Sequence, residues 1–164
     1  VRSFVALAVA AVFAMLIETS IVPALVDPGL GPDLVLVLAV YLGSRHREIG
    51  GAIGAFVLGW FLDTFAGSRL GMHAFALTAV YGTVLVVARK LWMKGGVPVM
   101  VVAGLAVGVQ AVALLAMATM VGDAAPVWWH LRRFGLVQAT LTILVAPFVF
   151  GAIAWEKRLL GVSA

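Results

Sequence analysis

Two carboxylates stand inside apolar stretches of this sequence: Glu18, within Ser3 to Val26, and Asp63, near the end of Ile49 to Ala66. A charge in such surroundings is costly, so each acid needs a partner or a task. Arg69, Arg132, Arg133 and His73 fall on the same side of the chain's layout as these acids. The first reading is a buried ion-pair cluster of Glu18, Asp63, Arg69, Arg132 and Arg133 that fixes helix register. Arg132 or Arg133 is the expected partner of Asp63, with Arg69 next. The second reading is a proton or ion relay. A relay needs acids in series across the bilayer, and the sequence has no such series.

The other reactive side chains do not form a catalytic set. His46, His73 and His130 lack metal-ligand spacing, and the chain has no cysteine. No nucleophile motif is present. Gly50, Gly51, Gly54 and Gly59 keep helical register instead of forming a phosphate-binding loop. Gln110 and Gln138 read as interhelical hydrogen-bonding groups. Pro147 is a candidate kink, with the carbonyl of Ile143 freed beside Thr142. The expectation is a protein that is not an enzyme and uses no cofactor or metal.

The elements that must position these residues are set by hydropathy. The sequence is 64% apolar and 11% charged, against roughly half and a quarter in soluble domains. A chain of 164 residues cannot bury that excess in one core, so lipid must solvate it. Runs of the length a spanning helix needs extend over Ser3 to Val26, Ile49 to Ala66, Leu70 to Ala88, Val97 to Val121 and Leu131 to Ala154. A shorter run covers Pro32 to Gly43, with Pro32 suited to its first helical position. The breaks fall at Asp27 to Pro32, Gly67-Ser68, Gly95-Gly96 and Gly122 to Pro126. The first run has no small-x-small cleavage site, and apolar residues resume at Ile21, so it reads as a retained span. The expected fold is an all-α membrane protein, one compact domain over residues 1–164 with six transmembrane helices.

Orientation follows from Lys and Arg. With both termini cytoplasmic, Arg2, Arg45, Arg47, Arg89, Lys90, Lys94, Lys157 and Arg158 lie inside, eight of the eleven basic residues. If the short run failed to cross, five of them would move outside, so the asymmetry favours a true crossing. A thin bilayer or protein neighbours must then accommodate its length. The cytoplasmic rim is expected to meet anionic lipid or an acidic surface. Trp92, Trp155 and Trp128-Trp129 suit the two interfaces, and Trp60, lying deeper, reads as packing.

Small residues mark where helices approach closely. Ala6, Ala10 and Ala14 recur every four residues and lead to Glu18; Gly51, Ala55 and Gly59 do the same and lead to Asp63. Gly104 and Gly108 form a third pair. Residues four apart share one helix stripe, so each acid continues a packing ridge. Such ridges either pack the bundle or meet a partner. The first run, being terminal, is the expected partner ridge and the glycine ridge the internal one.

Pro32-Asp33-Leu34, then Gly51, Gly54, Phe56, Gly59 and Asp63, then Leu70-Gly71-Met72-His73-Ala74 resemble the rod shape-determining MreD family. Its pattern is a Pro-acid/amide-Leu start, a short helix, a basic loop, a glycine-rich helix ending in Asp, and a Leu-Gly-x-His/Asn-Ala segment. The motifs cover roughly residues 30 to 75, and the rest agrees in hydropathy and layout. The resemblance implies a non-enzymatic scaffold of the cell-elongation machinery in the bacterial inner membrane. It implies as partners MreC, the glycosyltransferase RodA, a class B penicillin-binding transpeptidase and the actin-like MreB. The family is also similar in fold to the substrate-binding S components of energy-coupling-factor vitamin transporters, whose first helix carries an Ala-x-x-x-Ala docking ridge. A solute-binding transport subunit is therefore the alternative, and an outward-facing polar pocket would favour it. The scarcity of polar residues favours the scaffold.

Overall fold

The computed structural model describes residues 31–45, 49–65, 71–90, 95–122 and 124–159, with Val12, Ala14, Leu16 and Ile17; of 156–159 only the backbone is described. Most of the expected first span, with Ala6, Ala10 and Glu18, lies outside the described residues, as do Arg69, His46, Trp92 and Lys94. The regular structure among the described residues is helical: α1 is Leu34–Arg45, α2 Ile49–Phe65, α3 Met72–Lys90, α4 Gly96–Val121 and α5 Ala124–Leu159. Three of these, α3, α4 and α5, are long and apolar enough to cross a membrane, and the chain is a membrane protein.

Helix α1 is the centre of the bundle. Its 12 residues reach only about 18 Å at 1.5 Å per residue, well short of a ~30 Å hydrocarbon core. Yet every residue from Leu34 to Ser44 is buried. Such a helix is solvated by protein and need not match lipid thickness, so protein neighbours account for the short run. A helix apolar all round belongs in an interior, and LVLVLAVYLGS has no polar face to turn outward. Its core partners are Ala55, Leu58 and Leu62 of α2, Leu77, Val80 and Val84 of α3, and Val102 and Ala106 of α4. At its far end Gly43 brings the two backbones together: a Cβ there would lie 3.0 Å from the Tyr81 carbonyl oxygen and 2.9 Å from Val84.

The apolar runs predicted α2, α3 and α4 to within two residues at each end. The first and last helices depart from their runs as well, α1 ending at Arg45 and α5 at Leu159. Pro32 lies two residues before α1 rather than at its first position, because Asp33 caps the helix. Helix α5 begins at Ala124, seven residues before Leu131. Gly122, at φ 78°, ends α4, and the break stops there: Ala124 and Ala125 are strong helix formers, and a proline in a first turn gives up no internal hydrogen bond. The 36 residues of α5 extend about 54 Å, longer than an apolar layer of about 30 Å. The helix runs on through Pro147. Trp60 corrects another expectation. It is exposed beside Phe56 on the outer face of α2, a surface that lipid solvates.

Candidate functional site

Two buried acids organise the end of the bundle where α1 and α3 begin. Asp33 caps α1, its Oδ1 accepting the Leu36 N–H at 2.7 Å. That satisfies one of the amides a helix start leaves without an internal partner. Its Oδ2 accepts the Gln110 side-chain amide of α4 at 2.7 Å, and its own N–H donates to the Thr142 hydroxyl of α5 at 2.9 Å. Thr142 in turn donates to the Gln138 carbonyl. One residue thus ties the central helix to both long spans. Gln110 is an interhelical hydrogen-bonding group, as its position predicted; of Gln138 it is the main chain that joins this network.

Asp63, 1% exposed near the end of α2, performs a similar task for a different helix. Gly71 precedes α3 with φ 99°, a left-handed conformation that disfavours side-chain residues, and so it offers no capping group. Asp63 supplies one from the neighbouring helix. Its Oδ2 accepts the N–H groups of Gly71 at 2.8 Å and Ala74 at 3.3 Å. Its Oδ1 accepts the His73 N–H at 3.0 Å and meets His73 Nδ1 at 2.8 Å. An anion at a helix N-terminus is favoured by both the amides and the helix dipole. With the carboxylate ionised, Nδ1 carries the proton of that contact.

The glycine ridge places this acid. At Gly59, one turn before Asp63, α2 touches the main chain of α3: a Cβ there would lie 2.4 Å from Ala74 Cα and 2.5 Å from its nitrogen. Gly51 and Ala55 continue the buried stripe. Gly54 faces Leu42 of α1, and Gly104 faces Ile143 of α5 at 3.3 Å. These positions are packed within the bundle. Gly108 is exposed, and a Cβ built on it meets no atom within 4 Å.

The arginine expectation for Asp63 is corrected for two of its candidates. Arg132 and Arg133 are exposed on α5, and Arg133 lies 5.0 Å from the centre of the Trp129 ring, a cation–π contact. Backbone amides and His73 take the acceptor positions assigned to those guanidinium groups. Glu18 and Arg69 are outside the described residues. The alanine ridge is also corrected at Ala14, which is 9% exposed within the core cluster, while Val12 and Leu16 beside it are exposed. This position contributes to the interior.

Asp33 and His73 both line a half-open cavity of about 580 Å³. Along α5 it runs from Pro126 to Thr142, about 24 Å of helix. His73, Gln110, His130, Gln138, Asp33 and Thr142 give it polar groups; Leu36, Leu62, Val107 and Leu114 belong to its apolar wall. Of its polar lining, Gln110 and Gln138 stood out in the sequence as interhelical groups and His73 and His130 as isolated histidines. Asp33 entered only through the family motif, and Thr142 only as a neighbour of the proline.

The family model of the rod shape-determining protein MreD matches residues 1–154 of the chain. No curated protein and no solved structure gave a significant match. The matched stretch holds both helix-capping acids, the glycine ridge and all but the end of α5. The chain belongs to the MreD family of rod shape-determining proteins.

Proposed function

We propose that the protein is a non-enzymatic scaffold of the cell-elongation machinery in the bacterial inner membrane. It crosses the membrane six times, keeps both termini in the cytoplasm, and assembles MreC, RodA and a class B penicillin-binding protein, with MreB on the cytoplasmic side. The observation that carries this reading is the family match over residues 1–154, since the family is a structural component of rod shape determination. The chemistry of the two acids supports it. The described hydrogen bonds of Asp33 and Asp63 go to helix starts and helix partners, which is how a rigid body holds its shape. The second reading, a solute-binding transport subunit, draws on the cavity.

Partner recognition must use helix faces, and close approach needs small residues. Gly51, Ala55 and Gly59 are taken up internally. Gly108, exposed on a spanning helix beside Leu105 and Val112, is assigned to a partner helix. Gly108→Leu is expected to leave insertion and thermal stability unchanged and to reduce recovery of MreC and RodA with the protein from native membranes by about tenfold, the effect of ~1.4 kcal/mol. Undiminished recovery places the contact elsewhere. If the wild-type protein brings down no elongation component under any mild extraction, the scaffold reading itself fails.

Topology has its own test. Helices α1 and α3 end in Arg45 and in Arg89 and Lys90, and these basic ends belong at the cytoplasmic face. Single cysteines at Ser44, Ser68 and Gly95 are expected to divide: an impermeant thiol reagent on spheroplasts labels position 68 and spares 44 and 95. The reverse pattern overturns six crossings with cytoplasmic termini.

A further inference from the structure

The deep end of the cavity has a definite chemical sign. Asp33, Gln110 and Thr142 line it, and they are 6%, 8% and 0% exposed. Most of their donors are already engaged inside the protein: one of the two Gln110 amide N–H groups on Asp33, the Thr142 hydroxyl on the Gln138 carbonyl, the Asp33 N–H on Thr142. What is left is mainly acceptor capacity. A carboxylate has about four acceptor sites and a side-chain amide oxygen two. Among the described residues, Asp33 receives Leu36 and Gln110, and the Gln110 oxygen receives nothing. The orientation of that amide follows from chemistry, because turning its oxygen to Asp33 would set acceptor against acceptor. An occupant of this end must bring N–H donors, and the carboxylate favours one that is positively charged.

The rest of the cavity restricts the occupant further. Val107, Ala111 and Leu114 of α4 and Leu131 and Ala139 of α5 line the rest, so much of the wall is hydrocarbon, with His73, His130 and Gln138 as its further polar groups. A free inorganic cation would leave the hydrocarbon unmatched, and an anion would meet Asp33. The volume of about 580 Å³ lies within the range of small-molecule sites, roughly 300–1,000 Å³.

We propose that this cavity binds a small amphiphilic cation: a primary ammonium on a short hydrocarbon stem, inserted from the α4–α5 turn with its N–H donors on Asp33 and Gln110. A soluble amine and the headgroup of an ethanolamine lipid share this chemistry. The site is separate from the assembly role and stands without it.

The test uses the full chain in nanodiscs of phosphatidylcholine, whose quaternary ammonium has no N–H to donate. n-Butylammonium chloride and sodium butyrate are titrated separately and followed by saturation-transfer NMR. Butylammonium is expected to bind saturably and butyrate not to bind over the same range. Gln110→Leu should weaken butylammonium about tenfold or more, as loss of one hydrogen bond to a charged group requires. Ala139→Phe fills the cavity from α5 and leaves the acceptors intact, so it should abolish binding even if Gln110→Leu does not fold. Replacing phosphatidylcholine by phosphatidylethanolamine identifies the source: competition with butylammonium marks the lipid headgroup, and an unchanged Kd marks a soluble amine. Equal binding of the two probes, no saturable binding of butylammonium, or undiminished binding by Ala139→Phe overturns the proposal.

Discussion

Gly59→Leu is expected to yield no folded protein, and Gly59→Ala to be severely destabilised. A Cβ at this position would sit 2.4 Å from Ala74 Cα and 2.6 Å from the His73 carbonyl carbon. Overpacked side chains shift at a cost of about 1–3 kcal/mol, but here the obstruction is main chain, so the loss should exceed ~3 kcal/mol. That is a large share of a stability usually near 5–15 kcal/mol. The damage spreads because separating α2 from α3 also draws Asp63 away from the amides it caps. Fluorescence-detected size exclusion and thermal unfolding in one detergent read the result. Gly108→Leu is the control, since its new side chain enters open space. A monodisperse Gly59→Leu protein melting near wild type would show that the two helices do not meet as described.

The second large effect belongs to Asp63. Asp63→Ala removes the acceptor for the N–H groups of Gly71, His73 and Ala74 and for His73 Nδ1. Each donor left unsatisfied away from water costs about 1–3 kcal/mol, so a total near 3–5 kcal/mol is expected after the start of α3 relaxes. Asp63→Asn keeps the shape but turns an NH2 group towards N–H donors, and should lose less than alanine and more than His73→Ala, which removes one of the four described contacts. Thermal unfolding gives the order, and restoration of rod shape to cells lacking the protein should follow it. If His73→Ala proves as damaging as Asp63→Ala, the backbone cap is not what the acid is for. If Asp63→Ala melts with wild type, the cap contributes nothing.

These two residues also show what the sequence can convey. The four-residue spacing of Gly51, Ala55, Gly59 and Asp63 is a local pattern, so the shared stripe and the internal fate of the glycine ridge were legible without a structure. The described partners of Asp63 were not. Weighing a carboxylate only against the chain's other charges leads to Arg132 and Arg133, which are exposed. Three backbone amides at a helix start carry no letter of their own, and Gly71 was the one residue that hinted at them. The Asp33 network was out of reach for another reason: its links to Gln110 and Thr142 span separations of 77 and 109 residues, and no period joins them. Gly43 escaped because a single close approach makes no repeat. Exposure of Ala14 and Trp60 was misjudged because hydropathy gives depth in the membrane and says nothing about which way a helix face turns.

The burial of α1 bears on how the chain is made. A ribosome delivers α1 ahead of the four helices of α2 to α5, the described helices that pack around it. On emergence it is a 12-residue segment with an aspartate at its head, too brief to cross on its own and without the Gln110 and Thr142 contacts that will hold that aspartate. It can be completed only when α4 and α5, synthesised last, close against it. The central helix is therefore made before the partners that complete its surroundings.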